Sequence, residues 1–207
     1  MNSLGRKDFF KKMDKHHHFI IHKPFGYLSQ FVNNQNKRRN KKLLGELHDF
    51  PKGTMSIGRL DENSEGLLLL TTDGKVSAEV RSKKVEKEYF VQLDGEITEE
   101  AIQRLQSGVE IGLKDKKYNT LPCKSHLLQS KPIFKMTRKE RDARHGPTSW
   151  VSITITEGKF RQVRKMTAAV GFPTLRLVRV RIGGVHLNNL QTGEVIEVGG
   201  FGIMGSE

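Results

Sequence analysis

Cysteine occurs once in the 207 residues, at Cys123, so no internal disulfide can form and no thiolate cluster can hold a structural zinc ion. Long apolar runs are missing too. The longest, Leu67-Leu68-Leu69-Leu70, suits a buried strand and falls far short of the ~20 residues a membrane-spanning helix needs. The first 18 residues are basic but carry no apolar stretch of the secretory-signal kind. Acidic residues are outnumbered, 23 Asp and Glu against 36 Lys and Arg, giving a formal net charge of +13. These shortages argue against a disulfide-stapled secreted scaffold and a helical membrane protein, and point to a cytosolic chain. What remains is polar, with 35% hydrophobic residues and a mean hydropathy of −0.54, yet sufficient for a core. The length suits one domain, or two lobes sharing a core.

The positive charge is unevenly placed. Residues 1–57 hold 12 Lys and Arg against 4 Asp and Glu, residues 58–130 hold 11 against 13, and residues 131–207 hold 13 against 6. Two basic flanks therefore enclose a nearly neutral middle. Lys37-Arg38-Arg39-Asn40-Lys41-Lys42 lies in a stretch without apolar periodicity and reads as a mobile loop, 33–42, able to follow phosphates. An isolated charge run is more often a solvated loop, but two further clusters weaken that reading here. One comprises Lys131, Lys135, Arg138, Lys139, Arg141 and Arg144; the other comprises Arg161, Arg164, Lys165, Arg176, Arg179 and Arg181. Clustered cations favour a nucleic-acid partner over an anionic membrane, because no long basic amphipathic helix is present.

Strand signals outnumber helix signals. Phe19–His22, Gly66–Thr72, Tyr89–Leu93, Trp150–Thr156, the stretch from Leu175 and Val195–Val198 read as strands, with Met55–Ile57 leading into Gly58. Val151, Ile153 and Ile155 alternate as a half-buried strand should. Helices are expected at Leu43–Phe50, stopped by Pro51; at Val76–Arg81; after Thr98 as N-cap, with Ile102, Leu105 and Val109 on one face; and at Phe160–Val170, stopped by Gly171. Asp73-Gly74 reads as a tight turn. Loops rather than helices often join neighbouring strands. The pattern predicts an α+β fold with a mainly antiparallel sheet and flanking helices.

Several motifs invite chemistry. Asp61-Glu62-Asn63-Ser64-Glu65-Gly66 has the opening of a calcium loop, but its twelfth position is Thr72 rather than a bidentate carboxylate, so calcium is rejected. His16-His17-His18 with His22 could suggest a metal. Neighbouring side chains alternate in extended chain, however, so three consecutive histidines do not converge on one ion, and a surface run in a mobile terminus is the reading here. Gly158-Lys159-Phe160-Arg161-Gln162-Val163-Arg164-Lys165 opens a helix with several cations but lacks the nucleotide P-loop spacing. It is either an RNA-contacting helix or a structural one with solvated arginines. Asp61, alone after Gly58-Arg59-Leu60, would by itself be a turn or capping carboxylate.

Taken together, Lys23-Pro24, Gly58-Arg59-Leu60-Asp61 with Ser64-Glu65-Gly66-Leu67-Leu68, Lys87-Glu88-Tyr89 and Glu157 through Met166 closely resemble the RsuA-type pseudouridine synthases, in that family's order, from about Phe19 to Val198. Pro147-Thr148-Ser149-Trp150 and Gly171 through Leu177 are most similar to its RluE-like branch, which acts on large-subunit (23S) ribosomal RNA. The resemblance implies one catalytic domain, 19–198, of two lobes sharing a sheet around a central catalytic cleft. It sits between a flexible basic extension, 1–18, too short for the S4-type RNA-binding domain of many relatives, and a tail, 199–207. It implies a monomer that isomerises uridine to pseudouridine with no cofactor and no metal. Asp61 would be the catalytic carboxylate, attacking the ribose anomeric carbon or removing the 2′ proton. Tyr89 would stack on the uracil and could help remove the C5 proton. Arg164 would pair with Asp61, since a cation beside a partly buried carboxylate favours the charged form. Ile155 would pack near the base, and Arg59, Lys23, Arg161 and Lys165 would help hold substrate. Lys159 stands where relatives often carry arginine, another cation. A non-catalytic ribosome-assembly factor on the same fold is the rival from another class; a basic ribosomal protein fits poorly with the neutral middle.

Overall fold

Four consecutive leucines explain much of the architecture. In a computed structural model, which describes residues 16–32, 40–82, 85–114, 116–134 and 142–203, they lie on a strand buried along its whole length. The strands are β1 (His18–Lys23), β2 (Met55–Ile57), β3 (Glu65–Thr71), β4 (Lys87–Asp94), β5 (Glu110–Leu113), β6 (Lys116–Asn119), β7 (Lys124–Leu127), β8 (Thr148–Ile155), β9 (Thr174–Ile182), β10 (Val185–His186) and β11 (Val195–Val198). The α-helices are α1 (Gly74–Ser82), α2 (Glu99–Ser107) and α3 (Gln162–Ala169). Side chains alternate between sheet faces along β3. Leu67 and Leu69 accordingly join Ile57, Val178, Ile182 and Val185, while Leu68 and Leu70 join Phe19, Ile21 and Leu44. Each fully buried leucine contributes about 1.5–3 kcal/mol.

The main sheet runs β11-β1-β3-β9-β4-β8-β7, with β2 added to β3 and β10 to β9; β5 and β6 form a separate hairpin. Among the described strand pairs every ladder is antiparallel except β3 with β9, which is parallel and joins Glu65 to Val178 and Gly66 to Arg179. That short ladder links the two halves of the sheet. Beyond it, Tyr89, Val91 and Leu93 of β4 and Val151, Ile153 and Ile155 of β8 pack against Ile102 and Leu105 of α2 and Val163 and Met166 of α3.

The expected α+β class and mostly antiparallel sheet are what the chain forms. Thr98 caps α2 by accepting from the Ala101 amide at 3.2 Å, and Gly171 follows α3 at φ +96°. Several details differ. Leu43–Phe50 contains only a single 3₁₀ turn, Leu44–Glu46, because Leu44, Leu47 and Phe50 pack with Phe19 and Phe31 rather than along a helix face. Asp73-Gly74, expected as a tight turn, instead starts α1, with Asp73 Oδ1 accepting from the Lys75 amide at 2.7 Å. Strand β8 is covered on both faces, its polar positions included: Ser152 is buried and donates to Glu88 at 2.8 Å. The histidine run is held rather than loose, for His18 belongs to β1 and the His17 amide donates to Thr72 Oγ1 at 2.9 Å. Phe201 and Ile203, expected in a tail, pack against the cluster that includes Leu67 and Leu69. Residues 1–15, 33–39 and 135–141, which hold much of the extension, most of the basic loop and four cations of the second cluster, lie outside the described residues.

Candidate active site

Asp61 lies on the loop between β2 and β3, and that loop is tied down on every side. The Ser29 hydroxyl, itself buried, donates to the Leu60 carbonyl at 2.8 Å and accepts from the Leu60 amide at 2.9 Å. The Ser64 amide donates to the Asp61 carbonyl at 3.0 Å, and the Gly26 amide to the Glu62 carbonyl at 2.9 Å. Lys41 forms an ion pair with Glu62, so the C-terminal end of the basic loop is anchored one residue from Asp61. The side chain of Leu60 is buried with Tyr89, Ile155 and Val163. The polar residue therefore sits at the edge of an apolar floor, on a backbone that cannot drift.

Two arginines from the start of α3 meet the carboxylate. Arg161 Nη1 is 3.4 Å from Asp61 Oδ2, and Arg164 Nε is 4.0 Å from the same oxygen. Arg161, read as a substrate-binding cation, is thus the nearer of the two. Arg164 also donates through Nη2 to the Asn63 carbonyl at 2.6 Å and to Ser64 Oγ at 3.3 Å, bracing the loop itself. The Asp61 side chain is 26% exposed, against 38% for Arg161 and 12% for Arg164. An accessible carboxylate between two guanidiniums can act as nucleophile or base toward a neutral ligand lying on the apolar floor.

Other expected site residues fall in three places. Tyr89 and Ile155 are core residues, 8% and 4% exposed, so each has little surface open to a ligand. Arg59 is exposed, and Lys165 donates to the Gly112 carbonyl at 2.6 Å. Lys23, expected to hold substrate, is fully buried: its Nζ donates to the carbonyls of Pro24 at 2.9 Å and Tyr27 at 2.7 Å, and cannot reach a ligand. Burial pushes its amine down to about 7, against the partly opposing pull of Glu65.

A second tier of charge went unnoticed in the sequence. Glu65, completely buried, receives two bonds from Arg176, at 3.0 and 2.8 Å. Arg179, also buried, donates to the Leu67 carbonyl at 2.8 Å beside Gly66. Arg181 pairs with Glu86 and Glu88 at 3.0 and 2.9 Å. These three arginines counted toward a nucleic-acid surface in the charge tally, whereas here they hold strands together. Glu157 is another such hub, accepting from Tyr118 Oη at 2.6 Å, the Leu121 amide at 2.9 Å and Gln162 Nε2 at 2.6 Å. The Glu-Gly-Lys run before α3 was its only signal.

Residues 17–169 match the family described as RNA pseudouridylate synthase. The chain belongs to that family. Ribosomal large subunit pseudouridine synthase E of Vibrio vulnificus (strain CMCP6) is 42% identical over 86% of this chain and 74% of its own length. The synthase E of Xanthomonas campestris pv. campestris (strain ATCC 33913) is 38% identical over 84% of this chain and 91% of that one. A solved pseudouridylate synthase superposes with a TM-score of 0.70 at 29% identity, covering 88% of this chain and 70% of that chain. The fold is thus that of the pseudouridylate synthases, and the pinned Asp61 loop is a feature of a pseudouridylate synthase chain. Among the described residues no helix is long and apolar enough to cross a membrane.

Proposed function

We propose that this chain isomerises one uridine of large-subunit ribosomal RNA to pseudouridine, with Asp61 acting at the ribose. The observation that carries the proposal is the position of Asp61, on a loop immobilised by Ser29, Ser64 and Arg164 beside Arg161 and the Tyr89–Ile155 floor. The relatives named as large-subunit synthases support the choice of RNA. The reaction breaks the bond from uracil N1 to ribose C1′, turns the base, and joins C5 to C1′. A proton leaves C5 and one is gained at N1, so atoms and electrons balance without a cofactor. Asp61 serves as nucleophile at C1′ or as base at C2′; both need an ionised carboxylate within bonding reach of the sugar. A paired uridine must first leave its stack, at a cost of a few kcal/mol, and contact with Tyr89 offsets part of it. The protein works as a cytoplasmic monomer, and Arg161 and Arg164 keep the carboxylate aimed.

Asp61→Ala is expected to reduce pseudouridine formation by on the order of 10³-fold or more while RNA affinity changes little. Carbodiimide mapping of large-subunit RNA from cells with and without the gene identifies the uridine. An unchanged map would favour a non-catalytic assembly factor instead, whereas a fully active Asp61→Ala protein would overturn the assignment of Asp61.

A further inference from the structure

Phe160 is 72% exposed, and among the described residues no other Phe, Tyr or Trp side chain is exposed. Leaving such a ring in water forgoes the gain that burying apolar surface brings. The ring is not on a loose segment. On one side Glu157 holds three partners; on the other the Lys159 amide donates to Gln162 Oε1 at 3.0 Å, and the Gln162 amide to the Lys159 carbonyl at 3.1 Å. Gln162 itself is buried, and Arg161 is held in the left-handed region at φ +52°, a conformation that a non-glycine residue adopts only when its surroundings impose it. The fold thus fixes an exposed aromatic at the residue preceding Arg161, whose guanidinium is 3.4 Å from Asp61. Lys165, its Nζ held by the Gly112 carbonyl, lies over one face of the ring, 5.2 Å from its centroid, and the exposed Lys159 precedes it in the chain.

We propose that Phe160 is a stacking platform for the nucleobase next to the extruded uridine, with the exposed Lys159 meeting the adjoining phosphate. The proposal rests on the reading of Asp61 as acting on RNA, and goes beyond it by assigning a second RNA contact. Extruding one nucleotide strips its neighbour of a stacking partner, and a rigid aromatic at the rim of the site replaces that partner. Every base has a π-face, so the contact is tolerant of sequence: it holds the strand and does not select the uridine. Because the loop is already ordered, little conformational entropy is lost when the base lands.

The test uses the full-length protein and a protein-free transcript of large-subunit ribosomal RNA. Stacking on an aromatic is worth about 1–3 kcal/mol per base by substitution, a factor of roughly 5 to 150. Phe160→Ala and Phe160→Leu are expected to raise KM, and to weaken binding of the transcript, by a factor in that range, with kcat nearly unchanged. Their log affinity against log salt should keep the wild-type slope, because no phosphate contact is lost. Phe160→Trp should bind like wild type, and the added indole's fluorescence, measured as the difference from wild type, should be quenched by the transcript. Wild-type KM and affinity in Phe160→Leu, or an unquenched indole, would overturn the proposal. So would a Phe160→Leu defect seen only on ribosomal subunits, because a protein contact would then be its occupant. Failure of the uridine-isomerising reading shows separately, as a wild-type protein that binds the transcript and makes no pseudouridine. The binding and quenching results still decide the role of Phe160 in that event.

Discussion

A lysine with no solvent exposure is costly unless its charge is matched, and Lys23 resolves the problem by proximity to neutrality. Its amine is lowered to about 7 by burial, and its two bonds run to the carbonyls of Pro24 and Tyr27. A neutral amine still carries two N–H groups, enough for both bonds, so losing the proton need not loosen the turn that follows β1. The sign follows from linkage: between pH 7 and about 10.5 the unfolded chain holds a proton here that the folded chain has released, so stability attributable to Lys23 rises with pH across that window. Below pH 7 the full burial penalty applies. Denaturant titrations should show Lys23→Met gaining relative stability as the pH falls to 7 and keeping that gain below it, with the difference from wild type changing by up to about 1.4 kcal/mol per pH unit above 7. A pH-independent difference would mean that Lys23 is not the titrating group. Cys123 offers a simpler check. Burial pushes its thiol up to about 11 and its Sγ donates to the Leu105 carbonyl, so alkylation at pH 8 should be much slower than for a free thiol. At this scale the sequence was readable where residues are contiguous, as in the Asp61 and Arg164 motifs. Lys23 was misplaced at the substrate because its burial depends on β3, which arrives 42 residues later.

Two features of β3 govern how the Asp61 loop is carried. Gly66 has φ +103°, and a Cβ there would come within 2.3 Å of the Arg179 carbonyl oxygen, which is backbone and cannot swing aside. Gly66→Ala should therefore open the β3–β9 ladder, seen as a large drop in melting temperature and as loss of activity. Glu65 and Arg176 raise a related question of charge. Removing one member of a buried ion pair strands the other, at about 3–5 kcal/mol, while replacing both with apolar groups of similar volume is often much milder. Glu65→Leu and Arg176→Met should each be strongly destabilising, and the double variant less so than their sum, by urea unfolding. Sequence patterns captured elements whose signals are local, such as α2 with its Thr98 cap and α3 with Gly171. They failed at Leu43–Phe50, where helical spacing of leucines served a packing contact, and at β8, where alternation concealed a second covered face. The pairing of β3 with β9 was invisible because more than a hundred residues separate the two strands.

Across the whole molecule, the net charge of +13 overstates the surface available to RNA. Arg176 and Arg179 are buried, and Arg181 is committed to Glu86 and Glu88. Arg59, by contrast, is exposed two residues before Asp61. Arg59→Gln should weaken RNA binding and make the log affinity against log salt plot shallower by about 0.7–0.9, the share of one phosphate contact. Arg176→Met should lower thermal stability and leave that slope unchanged in the folded protein. A strong slope change for Arg176→Met would mean that the interior arginines meet RNA after all.

The edge formed by β11 and β1 has a mechanical consequence. His18 pairs with Val198 and Ile21 with Val195, so the start of the first strand and the end of the last lie together at one corner of the sheet. Tension applied to the chain on either side of this pair loads the ladder at its open end. Its hydrogen bonds then carry the force one rung at a time, as in a zipper, rather than all together, as in shear. An unfoldase or an optical trap gripping the protein there should first draw out Phe201 and Ile203 and then peel β11 away from Val198 inward. The deep strand β3, flanked on both sides, would yield only afterwards.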